Sequence, residues 1–226
     1  RVAKHGNHGV SSLVGSSTVL EHLGIKFSND PDYLKRKIET ANICYLHAPL
    51  FHPAMKYIAP IRKELGIRTF FNMLGPLTNP AFTKKQLVGV FSLELARLYA
   101  YLYQGSGHHY LIVHALDGYD EVSLTGDFKI ITAQNEQILT PIHLGLDVLA
   151  PAQLSGGDTL ADSAKIFLNV LNDEATSAQK QAVLANAGLA LYAANPTLSL
   201  TDAIAVARES LESKRALACF KKLIED

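Results

Sequence analysis

The chain has 226 residues, of which 48% are hydrophobic and 19% are charged, a composition typical of a globular protein with one large buried core. Lysine plus arginine and aspartate plus glutamate both number 21, so the formal net charge is zero, which disfavours a nucleic-acid-binding surface. The apolar runs are too short to span a membrane, no signal-peptide pattern is found, and Cys44 and Cys219 lack metal-ligand spacing, so we expect a cytoplasmic enzyme.

Strands and helices alternate through the first half of the chain. Asp30 followed by Pro31 is typical of a helix start, with Asp30 as the cap. The predicted elements are a strand ending at Ala3, helices over 16–23 and 31–40, a strand over 43–47, a helix over 52–65, a strand over 86–91, a helix over 93–103 and a strand over 110–114. This alternation predicts an α/β fold with a largely parallel sheet and crossover helices.

The second half of the chain has a different pattern. Residues 128–134 and 137–140 predict an antiparallel hairpin around Asn135 and Glu136. A helical tail follows, with predicted helices over 159–171, 178–192, 200–213 and 216–224. Ser199 and Asp202 resemble a capping box with a shortened acid, which supports the start of the third of these helices.

The first candidate site is the polar segment that follows the first strand. Residues 4–7 predict a loop that begins with the cation of Lys4, and serines then lead into a helix that we expect serine side chains to cap. Backbone N–H groups and the helix dipole make such a turn an anion site, with Ser11, Ser12 and Ser16 as short donors. An ordinary polar loop before a capped helix explains the pattern equally well.

A second candidate is the acidic loop after the strand ending at His114. Asp117, Asp120 and Glu121 stand close together there, and adjacent carboxylates suit Mg²⁺, which binds a few carboxylates together with waters and phosphate oxygens. Because open α/β sheets bind ligands at the carboxyl ends of their strands, we expect this loop to lie near Lys4. A solvated acidic turn is the alternative.

Two further segments are weaker candidates. Glycine and proline make the loop over 75–80 rigid, and rigid loops at strand ends often contact ligands. His52 at a predicted helix start and Arg62 ten residues later could bind a small carboxylate. A structural turn and a surface helix with scattered bases are the alternatives.

Five stretches, taken in order, resemble those of anthranilate phosphoribosyltransferases. They are residues 2–7, 52–56, 62–69, 72–80 and 117–123, and the segments 155–157, 185–187 and 190–192 are also similar to that family. The resemblance covers essentially the whole chain. It implies the catalytic-domain fold of nucleoside phosphorylases and phosphoribosyltransferases, a mostly parallel sheet flanked by helices over residues 1–226. Within it, residues 48–66 would form a helical segment that packs with an N-terminal helical domain.

The resemblance also implies an activity and its partners. The phosphoribosyl group of 5-phosphoribosyl 1-pyrophosphate would pass to the amine of anthranilate, giving N-(5-phosphoribosyl)anthranilate and pyrophosphate in tryptophan biosynthesis. Mg²⁺ would be the cofactor, the complete protein would be a homodimer, and neither nucleic acid nor a membrane would be a partner. No residue is expected to act as an obligatory general base, since an aromatic amine is already a nucleophile once it is positioned.

The matching positions imply roles for individual residues. Phosphoribosyl pyrophosphate would be bound by Lys4, Asn7, Ser11, Ser12 and Ser16. Anthranilate would be bound by Asn7, His52, Tyr57, Arg62, Met73 and Gly75, with Arg62 as the partner of its carboxylate. Asp120 and Glu121 would bind Mg²⁺.

This chain departs from the family pattern in three places. His8 stands where the family often has arginine, and Thr18 ends a stretch where the family often has an aspartate. The family's upstream glycine-rich pyrophosphate loop and N-terminal helical domain match nothing in these residues. We therefore expect the 226 residues alone to be nearly inactive.

Three other functions remain open at this point. A pyrimidine nucleoside phosphorylase of the same architecture would cleave nucleosides with phosphate and would not need the acidic pair. A nucleic-acid-binding relative would show a basic surface, which the zero net charge disfavours. An inactive folding unit would show neither property.

Overall fold

The structure is a computed structural model that describes residues 1–8, 14–54, 57, 64, 71–195 and 197–225. Its strands are β1 (Val2–Gly6), β2 (Ile43–His47), β3 (Lys85–Gly89), β4 (His109–Ala115), β5 (Phe128–Thr132) and β6 (Glu136–Leu139). Its helices are Ser16–His22, Pro31–Thr40, Ala48–Phe51, Phe71–Leu74, Leu93–Tyr103, Leu160–Leu171, Ser177–Ala194, Leu200–Glu212 and Arg215–Ile224. These elements confirm a mixed α/β architecture.

The chain divides into two compact units. The first unit contains Arg1–Thr83, Gly156–Leu168 and Arg215–Asp226, and the second contains Lys84–Ser155 and Asn169–Lys214. Each unit therefore combines segments that are distant in the sequence.

The first unit is built on a parallel pair of strands. β1 pairs with β2 so that Val2 lies opposite Ile43 and Gly6 lies opposite His47. Because the strands are parallel, their carboxyl ends, Gly6 and His47, lie side by side. The helix Pro31–Thr40 begins as predicted, with the Asp30 side chain accepting a hydrogen bond from the Asp32 N–H.

The second unit is built on a four-stranded sheet in the order β3-β4-β5-β6. β3 and β4 are parallel, whereas β5 and β6 form the predicted antiparallel hairpin. The central strand β4 is buried from Tyr110 to Ala115, and its side chains join those of the helix Ser177–Ala194 in one core. A Cβ at Gly188 would overlap Ile204, so glycine allows the helices Ser177–Ala194 and Leu200–Glu212 to approach closely.

The N-terminal segment differs from its prediction in two ways. Lys4, His5 and Gly6 belong to β1 rather than to a loop, because the ladder with β2 extends to Gly6. The helix Ser16–His22 has Gly15 at its N-cap and no side-chain cap hydrogen bond, so the predicted serine cap was wrong. Ser17 instead makes a buried hydrogen bond of 2.6 Å to the Tyr45 hydroxyl.

The helix predicted over 52–65 does not begin at His52, although Tyr57 and Glu64 within that range are helical. The helix Ala48–Phe51 ends before His52, whose backbone is not helical, with φ −123° and ψ 70°. The following residue is Pro53, and proline disfavours helical geometry in the residue before it. Most of the segment 48–66, which was expected to pack with an N-terminal helical domain, lies outside the described residues.

The remaining predicted elements agree with the structure to within a few residues. The helix Leu93–Tyr103 has the predicted bounds, and all four helices of the tail are present. Ser199 caps the third of them by accepting a hydrogen bond of 3.0 Å from the Asp202 N–H. Within the described part of the chain, the helices are too short or too polar to cross a membrane.

Candidate functional site

Lys4 lies in the middle of β1 with its ammonium group held over an aromatic ring. Its Nζ atom is 5.6 Å from the centroid of the Tyr45 ring on β2, and the side chain is exposed. A Cβ at Gly6 would overlap the Tyr45 hydroxyl, which Ser17 already holds in place. Glycine at this position therefore lets the lysine, the ring and the strand backbone come together.

Asn7 and His8 form the turn that follows β1. The Asn7 Oδ1 atom accepts a hydrogen bond of 2.8 Å from the His8 N–H, while His8 Nδ1 lies 3.3 Å from Thr18 Oγ1. The two residues that depart from the family pattern, His8 and Thr18, are thus in direct contact. Ser16 is exposed at the first residue of the neighbouring helix, and Ser11 and Ser12 lie outside the described residues.

His47, at the end of β2, lies in a cluster of rings. It stacks on Phe27 with 4.3 Å between centroids and an interplanar angle of 9°, and the edge of His8 contacts it at 4.8 Å. Burial lowers the pKa of His47; the neighbouring His8 lowers it further, and Glu21 opposes the shift. His47 is therefore expected to be neutral at pH 7.

The residues predicted to bind anthranilate are only partly described. His5 lies between His52 and Gly75: its Nε2 atom is 3.2 Å from His52 Nε2, and its Nδ1 atom is 3.2 Å from the Gly75 carbonyl oxygen. Met73 is half-buried in the short helix that leads to Gly75. Tyr57 is exposed, and Arg62 lies outside the described residues. His52 and Gly75, which were predicted to bind anthranilate, are thus joined by His5, which was not.

The segment 75–80, predicted as a loop, begins with a 3-10 helix over Gly75–Thr78 and is attached to β1. The Asn79 side-chain amide donates a hydrogen bond of 3.1 Å to the Ala3 carbonyl oxygen. A polar group of the glycine- and proline-rich loop therefore holds it against the strand that positions Lys4.

The acidic loop of the second unit follows the carboxyl end of β4, as predicted, and both Asp120 and Glu121 are exposed. Its backbone packs tightly on the neighbouring strand, because a Cβ at Gly89 would overlap the Asp120 carbonyl oxygen. Gly118 has φ +104°, a conformation that residues with a side chain rarely adopt, and so permits the turn before Asp120. The expected proximity of Asp120 to Lys4 stays a prediction.

Asn186 holds the same loop from the helix Ser177–Ala194. Its Oδ1 atom accepts a hydrogen bond from the Val122 N–H, and its Nδ2 atom donates to the Val122 carbonyl, both at 2.9 Å. The Ser123 and Thr125 hydroxyls also bind the Asp117 carboxylate. The hydrogen bonds at Asp117 and at Val122 therefore hold the backbone before and after the two carboxylates.

The donor set of this loop fits Mg²⁺ bound together with phosphate. In the part of the chain that the structure describes, no group of three or more histidine, cysteine or acidic side chains could hold a metal ion. Asp120 and Glu121 supply two exposed carboxylates, and Mg²⁺ commonly binds through one or two carboxylates plus substrate phosphates and waters. The site would accordingly be completed by the substrate.

A separate cleft of about 360 Å³ in the second unit has a different character. Several of its polar groups pair with one another: Lys180 contacts Asp173 at 3.0 Å and Gln181 contacts Asp147 at 2.8 Å. These contacts stabilise the local helix packing.

Sequence reasoning omitted three residues that the structure places at these sites, namely His5, Gly89 and Asn186. His5 stood within a motif that had been assigned to phosphate, whereas Gly89 lay inside the predicted strand over 86–91, where an isolated glycine often marks the close approach of another backbone. Asn186 could have been noticed as an amide among the buried apolar residues of its helix, such as Leu184 and Leu189.

Comparison with known proteins agrees with the family resemblance. A family model described as the a/b domain of a glycosyl transferase family matches residues 1–217. The anthranilate phosphoribosyltransferase of Cytophaga hutchinsonii is 59% identical over 225 residues, which are 100% of this chain and 69% of that protein. This chain thus spans about two thirds of the relative's length.

Solved structures show the same likeness in three dimensions. The crystal structure of anthranilate phosphoribosyltransferase from Thermus thermophilus matches with a TM-score of 0.90 at 37% identity, covering 98% of this chain and 67% of that one. The Saccharomyces cerevisiae enzyme in complex with PRPP and Mg matches with a TM-score of 0.88 at 28% identity, covering 98% of this chain and 63% of that one. The chain therefore belongs to the anthranilate phosphoribosyltransferase family.

Proposed function

We propose that this chain carries the catalytic α/β portion of an anthranilate phosphoribosyltransferase. The reaction transfers the phosphoribosyl group of 5-phosphoribosyl 1-pyrophosphate to the amine of anthranilate, giving N-(5-phosphoribosyl)anthranilate and pyrophosphate in tryptophan biosynthesis. The observation that carries the proposal is the 59% identity to an anthranilate phosphoribosyltransferase over 225 residues.

The first unit supplies the groups that bind phosphoribosyl pyrophosphate. As the bond from the anomeric carbon to pyrophosphate breaks, its electron pair moves to the leaving oxygen and negative charge develops there. Lys4, fixed over the Tyr45 ring, offers a positioned cation to the phosphates. Asn7 and Ser16 are the other described residues that we propose to bind the phosphates. Ser11 and Ser12, which lie outside the described residues, are proposed to bind them as well.

The second unit supplies the carboxylates of the metal site. Mg²⁺ bound at Asp120 and Glu121 would stabilise the charge on pyrophosphate as a Lewis acid. The yeast relative in complex with PRPP and Mg supports Mg²⁺ as the metal, and the family resemblance supports these two residues as its ligands. Asn186 and Gly89 contribute by fixing the backbone between the carboxylates and the sheet.

Anthranilate would be held by residues of the first unit. His52, Met73 and Gly75 form the described part of the proposed site, with Asn7 shared between the two substrates. Tyr57 and Arg62 belong to the same proposal, with Arg62 as the bidentate partner of the carboxylate. Holding the amine in line with the anomeric carbon lowers the entropic cost of attack.

An assay of the complete protein tests this function. Anthranilate fluorescence should disappear only when phosphoribosyl pyrophosphate and Mg²⁺ are both present. The double variant Asp120→Asn with Glu121→Gln should lose at least about a hundredfold in kcat, because preorganised electrostatic groups contribute on that order. The matched double variant Asp32→Asn with Glu39→Gln changes the charge equally on the helix Pro31–Thr40, which carries none of the proposed binding residues, and should keep its activity.

Two results would contradict the proposal. Phosphate-dependent cleavage of pyrimidine nucleosides without anthranilate turnover would assign the chain to the nucleoside phosphorylases. Turnover that persists unchanged in the Asp120 and Glu121 double variant would remove the acidic pair from the metal site.

Location and assembly are part of the same proposal. Cys44 and Cys219 are free thiols, which supports a reducing compartment such as the cytoplasm. A homodimer is proposed for the complete protein, and light scattering after size-exclusion chromatography should give twice the mass of one chain.

A further inference from the structure

His5 links two residues of the proposed anthranilate site through both nitrogens of its ring. Its Nδ1 atom lies 3.2 Å from the Gly75 carbonyl oxygen, and its Nε2 atom lies 3.2 Å from Nε2 of His52. The two imidazole rings meet edge to face, with 5.1 Å between centroids and an interplanar angle of 74°. His5 itself is half-buried at the end of β1.

The partners of His5 determine where its proton resides. A carbonyl oxygen can only accept a hydrogen bond, so the Gly75 contact requires a proton on His5 Nδ1. In a neutral imidazole the other nitrogen then carries a lone pair, and His5 Nε2 must accept. His52 must accordingly donate from its own Nε2, which leaves a lone pair at its Nδ1.

The surroundings of His5 favour its neutral form. Burial lowers the pKa of His5, the hydrogen bond to the Gly75 carbonyl opposes that shift, and the charges of His52 and Lys4 lower the pKa further. Among the described residues, Lys4, His52 and the Gly75 carbonyl are the groups that act on the ring electrostatically.

We propose that His5 is a positioning residue that fixes the tautomer of His52, so that His52 presents an unprotonated Nδ1 to the amine of anthranilate. The identity of that substrate rests on the proposed function, whereas the tautomer rests on the two hydrogen bonds of a neutral His5 ring. Two successive hydrogen bonds therefore connect the Gly75 carbonyl oxygen to His5 and His5 to His52. They leave His52 Nδ1 as an acceptor for the substrate.

The chemistry of the amine matches such an acceptor. The anthranilate amino group carries two N–H donors, and an imidazole lone pair can hold one of them while the nitrogen lone pair faces the anomeric carbon. When the nitrogen bonds to that carbon and pyrophosphate leaves with the electron pair of the broken bond, the nitrogen becomes cationic and must lose one proton. His52 Nδ1 can take that proton, forming an imidazolium that donates from Nε2 to His5.

Nuclear magnetic resonance of the complete protein labelled with ¹⁵N-histidine tests the tautomer directly. Long-range ¹H–¹⁵N correlations at pH 7.5 should show His52 protonated at Nε2 and unprotonated at Nδ1, with the signal assigned by its loss in His52→Gln. In His5→Phe the acceptor is gone, and His52 should become a mixture of tautomers. A wild-type His52 protonated at Nδ1, or an unchanged tautomer in His5→Phe, would overturn the proposal.

Kinetics of conservative and disruptive variants separate positioning from a structural role. His5→Phe should raise the KM for anthranilate by about tenfold, the loss expected for one hydrogen bond, while the KM for phosphoribosyl pyrophosphate stays the same. His5→Gln keeps an oxygen acceptor near the Nε2 position and should restore the KM to within about threefold. His22→Gln, on an exposed helix end, should leave both constants unchanged.

The measurements also separate this inference from the proposed function. If the complete protein does not consume anthranilate, the proposed function fails, yet the tautomer of His52 can still be read. If turnover is normal but His5→Phe and His5→Gln raise the KM equally without a change in tautomer, only the role of His5 is rejected.

Discussion

The two strand ends that carry the proposed site are constructed by different means. At the end of β1 and β2, side-chain rings make the contacts: His47 stacks on Phe27, and His5 meets His52. At the end of β4, the contacts involve the main chain: the Asp120 carbonyl packs on Gly89, and Asn186 binds both polar groups of Val122.

Because of this difference, the two strand ends should respond differently to pH. Histidines change charge near neutral pH, so the β1–β2 end should be sensitive to acid. Main-chain hydrogen bonds do not titrate, so the acidic loop should keep its geometry over the same range. A loop that must hold two negative charges in place for a divalent cation benefits from that constancy.

The strongest test of the main-chain construction is Gly89→Ala. The added methyl group would overlap the Asp120 carbonyl oxygen, which is backbone and cannot move without shifting the loop. We expect a loss of about 1–3 kcal/mol in the free energy of unfolding and at least a tenfold rise in the Mg²⁺ concentration for half-maximal rate, on the order of the same cost. Urea denaturation and Mg²⁺ titration of the rate measure the two effects.

Gly126→Ala is the matched control, since a Cβ there would meet Asp117 at an ordinary 3.6 Å. It should change neither quantity appreciably. Equal Mg²⁺ requirements in wild type and Gly89→Ala would show that the loop is not held by this contact.

Asn186→Ala should have a comparable effect at the same place. It leaves the N–H and carbonyl of buried Val122 without their partner, at a cost of roughly 1–3 kcal/mol in the free energy of unfolding. Because Val122 follows Glu121 directly, the Mg²⁺ requirement should rise as well. Gln181→Ala removes a similar amide contact, to Asp147, from the same helix.

Comparing the two variants isolates the role in metal binding. Both should lower the melting temperature, but only Asn186→Ala should weaken binding of Mn²⁺, measured by electron paramagnetic resonance as a substitute for Mg²⁺. Equal Mn²⁺ affinity in the two variants would make Asn186 a purely structural residue.

The smallest expected effect concerns pH and the β1–β2 end. Burial lowers the pKa of His47 below its ordinary value of 6.5, so the unfolded chain binds this proton more tightly than the folded protein does. The contribution to the free energy of unfolding is therefore fully present above about pH 6.5 and is lost as the pH falls below it.

Thermal unfolding from pH 7.5 to pH 5 measures this dependence. His47→Phe keeps a ring to stack on Phe27 and should reduce the fall in melting temperature, with His5 accounting for part of the remainder. His109→Phe, at an exposed histidine of β4, should leave the slope as it is in the wild type. An identical slope in His47→Phe and wild type would contradict the assignment.

Local sequence signals predicted the helices and strands that are fixed by residues close to them in the sequence. Asp30 and Pro31 start a helix by capping and by a fixed φ, and the turn at Asn135 closes a hairpin between its neighbours. The prediction was wrong for Gly6, which looked like a loop residue but is drawn into β1 by pairing with His47. That contact spans a long stretch of chain and leaves no local signal.

The same distinction applies to the candidate site. The resemblance to a known family indicated residue types and positions, such as Asp120 and Glu121, without any contact between them. What fixes those residues could not be read from the sequence: Asn186 is 64 positions from Val122, and His5 is 47 positions from His52. Such pairs form only when the chain has folded.

The contact between His8 and Thr18 ties two positions together in any exchange of sequence with a relative. An arginine introduced alone at position 8 would bring a cation against a hydroxyl group, and an aspartate introduced alone at position 18 would face an imidazole. The contact couples the two positions, so a chimera with a relative that has arginine and aspartate there should exchange both together.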